Sequence, residues 1–204
     1  MRPEEPGPRR ARIGLAAEAC ARRCHPAAGT VACDPGVGDT GRVLGGDTGE
    51  LSLVRRGLWI GCAPEHVDPG MPRELLGAYA RHGIRSVVDL RANADDSAFW
   101  GAAGIEYFSH GIEDSGAPIP FDWFSTGVEH ILDRWVGQRR HLLVHCEHGA
   151  HRSPSLVYAV LLVLGHRPAV AEHIVLRARP GAFLRYSDDA ERWFERFSGT
   201  RPLR

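Results

Sequence analysis

The sequence predicts an α/β domain, with a mostly parallel central sheet and helices on both faces. Three observations predict it. From Leu51 to Phe197, short β-type runs alternate with helical patterns, the order that builds a parallel sheet with crossover helices. The run Leu142-Leu143-Val144 is apolar throughout, as suits a buried strand. The segment from Pro154 to Leu164 then carries Leu156, Val157, Ala159, Val160, Leu161, Val163 and Leu164, an apolar helix for the centre of the domain.

Residues 1–50 precede that pattern. They are rich in Gly, Pro, Arg and Ala and poor in large apolar residues, so a disordered or poorly structured extension is expected. Ile13 to Arg23 reads as one short helix within it. Removing residues 1–48 is expected to leave folding and activity nearly unchanged. Cys20, Cys24, His25 and Cys33 faintly suggest metal ligands, but their spacing is not that of a standard zinc pair. No metal and no cofactor are expected.

Residues 51–204 form the expected domain. Leu51–Val54 and Gly57–Gly61 read as two short strands joined by Arg55 and Arg56. Pro72 to His82 is a helix: Pro72 suits the first turn, Leu75, Leu76 and Tyr79 share a face, and Gly83 ends it. Ile84 to Leu90 is a buried strand. Asp95 to Ala103 is a short helix capped by aspartate and stopped by Gly104, and Ile105 to Phe108 is a strand. The stretch His110 to Pro118 reads as a polar loop. Phe121 to Val136 is a helix with Phe124, Val128, Ile131, Leu132 and Trp135 on one face, and Asp122 reads as its cap. Pro168 opens a helix to about Ala178, where Arg179 complements the helix dipole. Ser187 reads as the cap of a last helix, Asp188 to Phe197.

Formal charges balance, with 25 basic and 25 acidic residues, so no global field attracts nucleic acid or an anionic membrane. Every basic residue is arginine. The five cysteines make no even framework, which favours a reducing compartment. With no signal-peptide core and no run of 18 apolar residues, a cytoplasmic monomer is expected.

The chemistry lies between the strand at 142–144 and the helix after it. Cys146 follows the strand at once, and Arg152 lies six positions on, with Gly149 between them. A loop entering a helix N-terminus aims unpaired N–H groups at one point, a ready site for an anion. Arg152 adds a planar fork that matches two phosphoryl oxygens. Helix N-termini and nearby cations also favour thiolate over thiol, so Cys146 is placed to be a nucleophile.

The run His145-Cys146-Glu147-His148-Gly149-Ala150-His151-Arg152-Ser153 resembles the signature of cysteine-dependent phosphatases, most of all the dual-specificity group. Rhodanese-type sulfurtransferases have a loop one residue shorter, so the step to Arg152 argues against them. The strand around Leu58-Trp59-Ile60-Gly61 also resembles the opening strand of these phosphatases. Arg177, Arg179 and Pro180 resemble the ending of their penultimate helix.

The resemblance implies an α/β phosphatase fold and hydrolysis through a phosphocysteine. Residues 147–152 would hold the phosphoryl group. Asp114, 32 positions before Cys146, takes the place of the general acid, with Glu113 as the spare carboxylate. A plain turn-forming role in the Ser115-Gly116 turn is its alternative. His145 is expected to orient the loop through side-chain hydrogen bonds and help keep Cys146 ionised. Ser153 is expected to donate to the sulfur as it leaves. Gly149 permits a turn that a side chain would crowd. His148 and His151 depart from the family's small residues and face substrate or solvent. Glu147 disfavours polyanionic lipid heads.

The expected substrate is a phosphorylated protein, on tyrosine or on serine/threonine. RNA 5′-triphosphate, a phosphoinositide or a non-catalytic phosphate reader are the alternatives. Control of Cys146 by a disulfide with Cys62 stays open.

Overall fold

The computed structural model describes residues 11, 13, 14, 18, 51–64 and 72–199. The proposed metal ligands Cys20, Cys24, His25 and Cys33 lie outside the described residues. Five strands form one sheet: β1 (Ser52–Arg55), β2 (Leu58–Gly61), β3 (Ile84–Arg91), β4 (Glu106–Ile112) and β5 (His141–His145). Their order is β1-β2-β5-β3-β4. The β1–β2 hairpin is antiparallel and every other pairing is parallel, so the sheet is mixed but mostly parallel.

Alternation along the strands gives the sheet two apolar faces. Leu58, Ile60, Val88, Leu90, Leu142 and Val144 enter one core; Trp59, Val87 and Leu143 enter the other. The smaller core is closed by α1 (Pro72–Arg81), through Leu75, Leu76 and Tyr79, and by Trp100 of α2 (Ser97–Gly101). The larger core lies under α3 (Phe121–Ile131), α4 (Arg152–Val163), α5 (Pro168–Ala178) and α6 (Ser187–Ser198). Helix α4 is buried along its whole length from Arg152 to Leu162, as its unbroken apolar run requires.

Local departures from the sequence reading have physical reasons. Strand β4 continues through His110 and Gly111 to Ile112, because an edge strand alternates half-buried and exposed positions and so keeps polar residues. At Gly111 an added Cβ would stand 2.2 Å from the Arg91 carbonyl oxygen, so only glycine lets β4 pass the end of β3. The helix from Phe121 ends in a π-helical stretch, Leu132–Gly137. Its N-cap is Pro120; Asp122 lies inside the first turn and acts through its charge alone. Tyr186 takes the N-cap place of α6, and Ser187 is already helical. Before α2, Asp95 Oδ1 does accept the Ser97 N–H at 3.0 Å.

Ile13 sits in a helical stretch and is 1% exposed within the larger core. A side chain from the first fifty residues therefore docks on the domain, which composition gave no reason to expect. Among the described residues, no helix is long and apolar enough to cross a membrane, and no group of His, Cys, Asp and Glu stands ready to hold a metal ion.

Candidate phosphate-binding site

Strand β5 is flanked on both sides by parallel partners, and its carboxyl end delivers Cys146 to the sheet edge where α/β folds place their ligands. The thiol is 1% exposed, and Sγ lies 3.4 Å from Ser153 Oγ in the first turn of α4. Residues 147–151 form the loop between them.

The carbonyls of that loop are all held from outside. Ala63 N–H donates to the Glu147 oxygen at 2.9 Å. Arg179 donates from Nη2 to the His148 oxygen at 2.9 Å and from Nε to the Gly149 oxygen at 2.7 Å. Phe183 N–H donates to the Ala150 oxygen at 2.8 Å. Ser155 Oγ donates to the His151 oxygen at 2.7 Å. A trans peptide points its N–H opposite to its C=O. Carbonyls tied outward therefore turn the N–H groups of residues 148–152 inward, forming a nest for an anion.

Gly149 makes this wrapping possible. Its φ is +64°, and a Cβ there would stand 2.4 Å from the Gly61 carbonyl oxygen. Arg179 is buried and also reaches Ser52 Oγ at 3.3 Å. Its sequence reading as a dipole-complementing cation is corrected: the guanidinium is the loop's scaffold. The one signal in the sequence was its resemblance to the family's Arg-Pro ending.

Arg152 is buried too. Its Nη1 donates to the carbonyl oxygens of Leu90 at 3.0 Å and Ile112 at 2.9 Å, at the ends of β3 and β4. Its Nε is buried without a hydrogen-bond partner and lies 3.5 Å from Asp114 Oδ2. One edge of the guanidinium is thus fixed to backbone, and its other functional donor faces the site.

Asp114 leaves the end of β4 and reaches the same place. Its carboxylate accepts from Tyr186 Oη at 2.7 Å and contacts His151 Nδ1 at 3.1 Å. Burial pulls its pKa upward, but the Tyr186 and His151 hydrogen bonds and the Arg152 charge outweigh this and hold it below the usual carboxylate value. The adjacent turn is closed instead by Ser115, whose Oγ accepts the Ala117 N–H at 3.2 Å. Glu113 accepts from Asn93 Nδ2 at 3.1 Å. His148 is exposed, whereas His151 turns to Asp114.

His145 ends β5, directly before Cys146. It is fully buried, and neither ring nitrogen has a hydrogen-bond partner. Burial lowers its pKa, and the charge of Asp89 works in the other direction. Nε2 lies 3.8 Å from Asp89 Oδ2, and the ring packs 6.0 Å from Trp100. The ring fills space beneath the loop, between the Asp89 carboxylate and Trp100. Behind it Arg91 pairs with both Asp89 and Asp96, and Tyr107 donates to Asp89 Oδ2 at 3.0 Å.

A cavity of about 470 Å³ opens beside the nest, lined by Arg91, Asn93, Glu113, Asp114, Glu147 and Arg152 among others. Phe183, whose N–H holds the Ala150 carbonyl, stands 66% exposed and edge-on to His151 at 6.0 Å.

No protein-family model matches this sequence, and no curated protein does. Solved structures resemble it clearly. PTPMT1 in complex with PI(5)P superposes with a TM-score of 0.61 and 17% identity, over 73% of this chain and 97% of that one. Human DUSP28 gives 0.61 and 20%, over 73% and 99%. A mouse putative dual specificity phosphatase complexed with zinc tungstate gives 0.59 and 18%, over 86% and 96%. The strand order, the loop between Cys146 and Arg152 and these superpositions agree: the chain has the fold of the dual-specificity-like, cysteine-dependent phosphatases.

Proposed function

We propose that this chain hydrolyses phosphomonoesters through a phosphocysteine on Cys146. The outward tethering of every carbonyl from Glu147 to His151 carries this reading, because it builds a nest for one phosphoryl group around a buried thiol. The Cys146 thiolate attacks phosphorus, and the P–O bond to the leaving group breaks. The nest and the free edge of Arg152 stabilise the charge on the transferred oxygens. Asp114 supplies the proton that the leaving oxygen takes up. Water then attacks the phosphocysteine and passes its proton to Asp114. The S–P bond breaks, and the Ser153 hydroxyl, 3.4 Å from the sulfur, stabilises the departing thiolate. A reducing compartment such as the cytoplasm suits a thiolate nucleophile.

The substrate favoured is a phosphorylated protein, phosphotyrosine above all. Three carboxylates, Glu113, Asp114 and Glu147, line the cavity beside the nest. Of its arginines, Arg91 is already paired with Asp89 and Asp96, leaving Arg152 for the phosphoryl group. Such a mouth suits a single phosphate and opposes a second. The exposed ring of Phe183 offers an apolar rest for an aryl group. The competing reading is a phosphoinositide, the ligand in the similar PTPMT1 structure.

Phosphotyrosine peptides, phosphoserine peptides, inositol phospholipids and triphosphate-ended RNA, offered to one preparation, test both levels. Hydrolysis of phosphotyrosine peptide by the wild type, and none by Cys146→Ser, is expected. Full turnover by Cys146→Ser would overturn the phosphocysteine, and preference for the lipid would overturn the substrate assignment.

A further inference from the structure

Resting on the phosphatase reading above, we infer that His151 is a positioning residue that holds Asp114 and relays protons to and from it through the Nδ1–Oδ2 contact. The geometry is specific. Nδ1 of His151 lies 3.1 Å from Asp114 Oδ2, the oxygen that also lies 3.5 Å from Arg152 Nε. Oδ2 is therefore the oxygen on the phosphoryl side. The other oxygen, Oδ1, is taken by the Tyr186 phenol at 2.7 Å. Phe183 lies edge-on to the imidazole, with ring centroids 6.0 Å apart. The His151 side chain is 32% exposed, so it exchanges protons with solvent while its other face touches Asp114.

Why Asp114 needs such a partner follows from its surroundings. Tyr186 and His151 hydrogen-bond to it and Arg152 faces it; all three favour the carboxylate, so the proton a leaving group needs rests on a neighbour. Glu113 on the same loop and Glu147 in the nest oppose that bias from the cavity side. Arg185 lies against Gly116, its Nη2 2.2 Å from where a Cβ would be, and adds positive charge around the loop. An imidazolium one hydrogen bond away restores the missing proton without moving Asp114.

The proton balance closes. In the first step the Cys146 thiolate bonds to phosphorus and the P–O bond breaks. The proton on Nδ1 passes to Oδ2 and from there to the leaving oxygen, giving the free alcohol or phenol and neutral His151. In the second step water bonds to phosphorus and the S–P bond breaks. The water proton passes to Oδ2 and back to Nδ1. The products are phosphate, thiolate and the imidazolium that began the cycle.

The experiment compares wild type, His151→Asn and His151→Ala on aryl phosphates of graded leaving-group basicity, reading kcat/KM across pH. An asparagine amide keeps a donor near Oδ2 but relays no proton. For phenyl phosphate, His151→Ala is expected to lose roughly 10- to 100-fold in kcat/KM, up to the lower end of the ~10²–10⁴-fold span of general acid catalysis, because Asp114 itself remains. His151→Asn is expected to keep more activity at acidic pH, with its basic limb moved to lower pH. For the best leaving group, both variants should approach wild type.

Equal losses for all leaving groups, or an unshifted basic limb in His151→Asn, would overturn the relay while wild-type turnover left the phosphatase reading intact. A wild type that hydrolyses nothing overturns that reading and this inference together. If the variants do not fold, a proton inventory of wild-type kcat/KM decides. Two protons in flight give a bowed dependence on deuterium fraction; a straight line counts against the relay.

Discussion

The phenol of Tyr186 donates to Asp114 Oδ1 at 2.7 Å, across 72 positions of sequence. The same oxygen of Tyr186 accepts the Gly116 N–H at 3.2 Å, so one side chain holds both the carboxylate and the loop that carries it. Tyr186→Phe removes a bond that favours ionised Asp114, and the carboxyl pKa should therefore rise. The basic limb of kcat/KM is expected to move to higher pH, with a loss of roughly 3- to 10-fold from the looser loop. A limb that moved to lower pH would show that Tyr186 does not act on the Asp114 proton.

Arg179→Ala frees the His148 and Gly149 carbonyls, and their peptide planes then lose the force that turns the next N–H groups inward. Activity is expected to fall by roughly 10²-fold, the scale of a misplaced catalytic geometry. Affinity for vanadate or tungstate should fall with it. Arg179→Lys should rescue little, since one ammonium cannot reproduce a planar fork bonded to two carbonyls. Wild-type oxyanion affinity in Arg179→Ala would remove the scaffold role.

Ile13 gives a reason to test whether residues 1–48 are dispensable. Buried at 1% exposure in the main core, it should cost about 2 kcal/mol or more when cut to alanine. Truncation before residue 49 should lower the melting temperature at least as much as Ile13→Ala. An unchanged melting temperature in both would show that the docked side chain adds nothing to stability.

Acid should destabilise the fold before its carboxylates titrate. Burial, reinforced by Arg134 and Arg55 respectively, lowers the pKa of His130 and of His166 from 6.5 to about 4. Burial lowers that of His145 as well. The unfolded imidazoles take protons near 6.5 while the folded ones stay neutral. Their contribution is thus full above pH 6.5 and lost as pH falls towards 4. Scanning calorimetry at pH 7.5 and pH 5 should show a melting temperature lower at pH 5 by roughly 5 °C or more. A flat profile over that range would mean that these rings gain protons without cost.

Much of the framework could be read along the chain because it is local. Leu142-Leu143-Val144 and the run from Leu156 to Leu162 declare a buried strand and a buried helix by composition alone. Cys146, Ser153 and Arg152 fall together because strand, loop and helix are consecutive. What escaped depends on contacts between distant segments. Arg179 meets its two carbonyls from about thirty positions away, and at the end of a helix its charge had a sufficient local explanation. The pairing of His151 with Asp114 needs the crossing of two loops. The resemblance gave His145 a place beside the loop; that its ring is buried between Asp89 and Trp100 depends on strands and helices distant in sequence.

The tethering of the loop carbonyls also bears on how small a working piece of this protein can be. A peptide covering residues 141–163 contains the whole signature from His145 to Ser153, yet of the outside anchors it retains Ser155 alone. Ala63, Arg179 and Phe183 come from either side of it in the chain. Grafted onto another strand–loop–helix scaffold, the motif would carry its nucleophile but leave four of its five carbonyls free to rotate. Transplanting the chemistry therefore means transplanting the end of β2 and the α5–α6 connection as well, and a motif match without them marks a sequence, not a site.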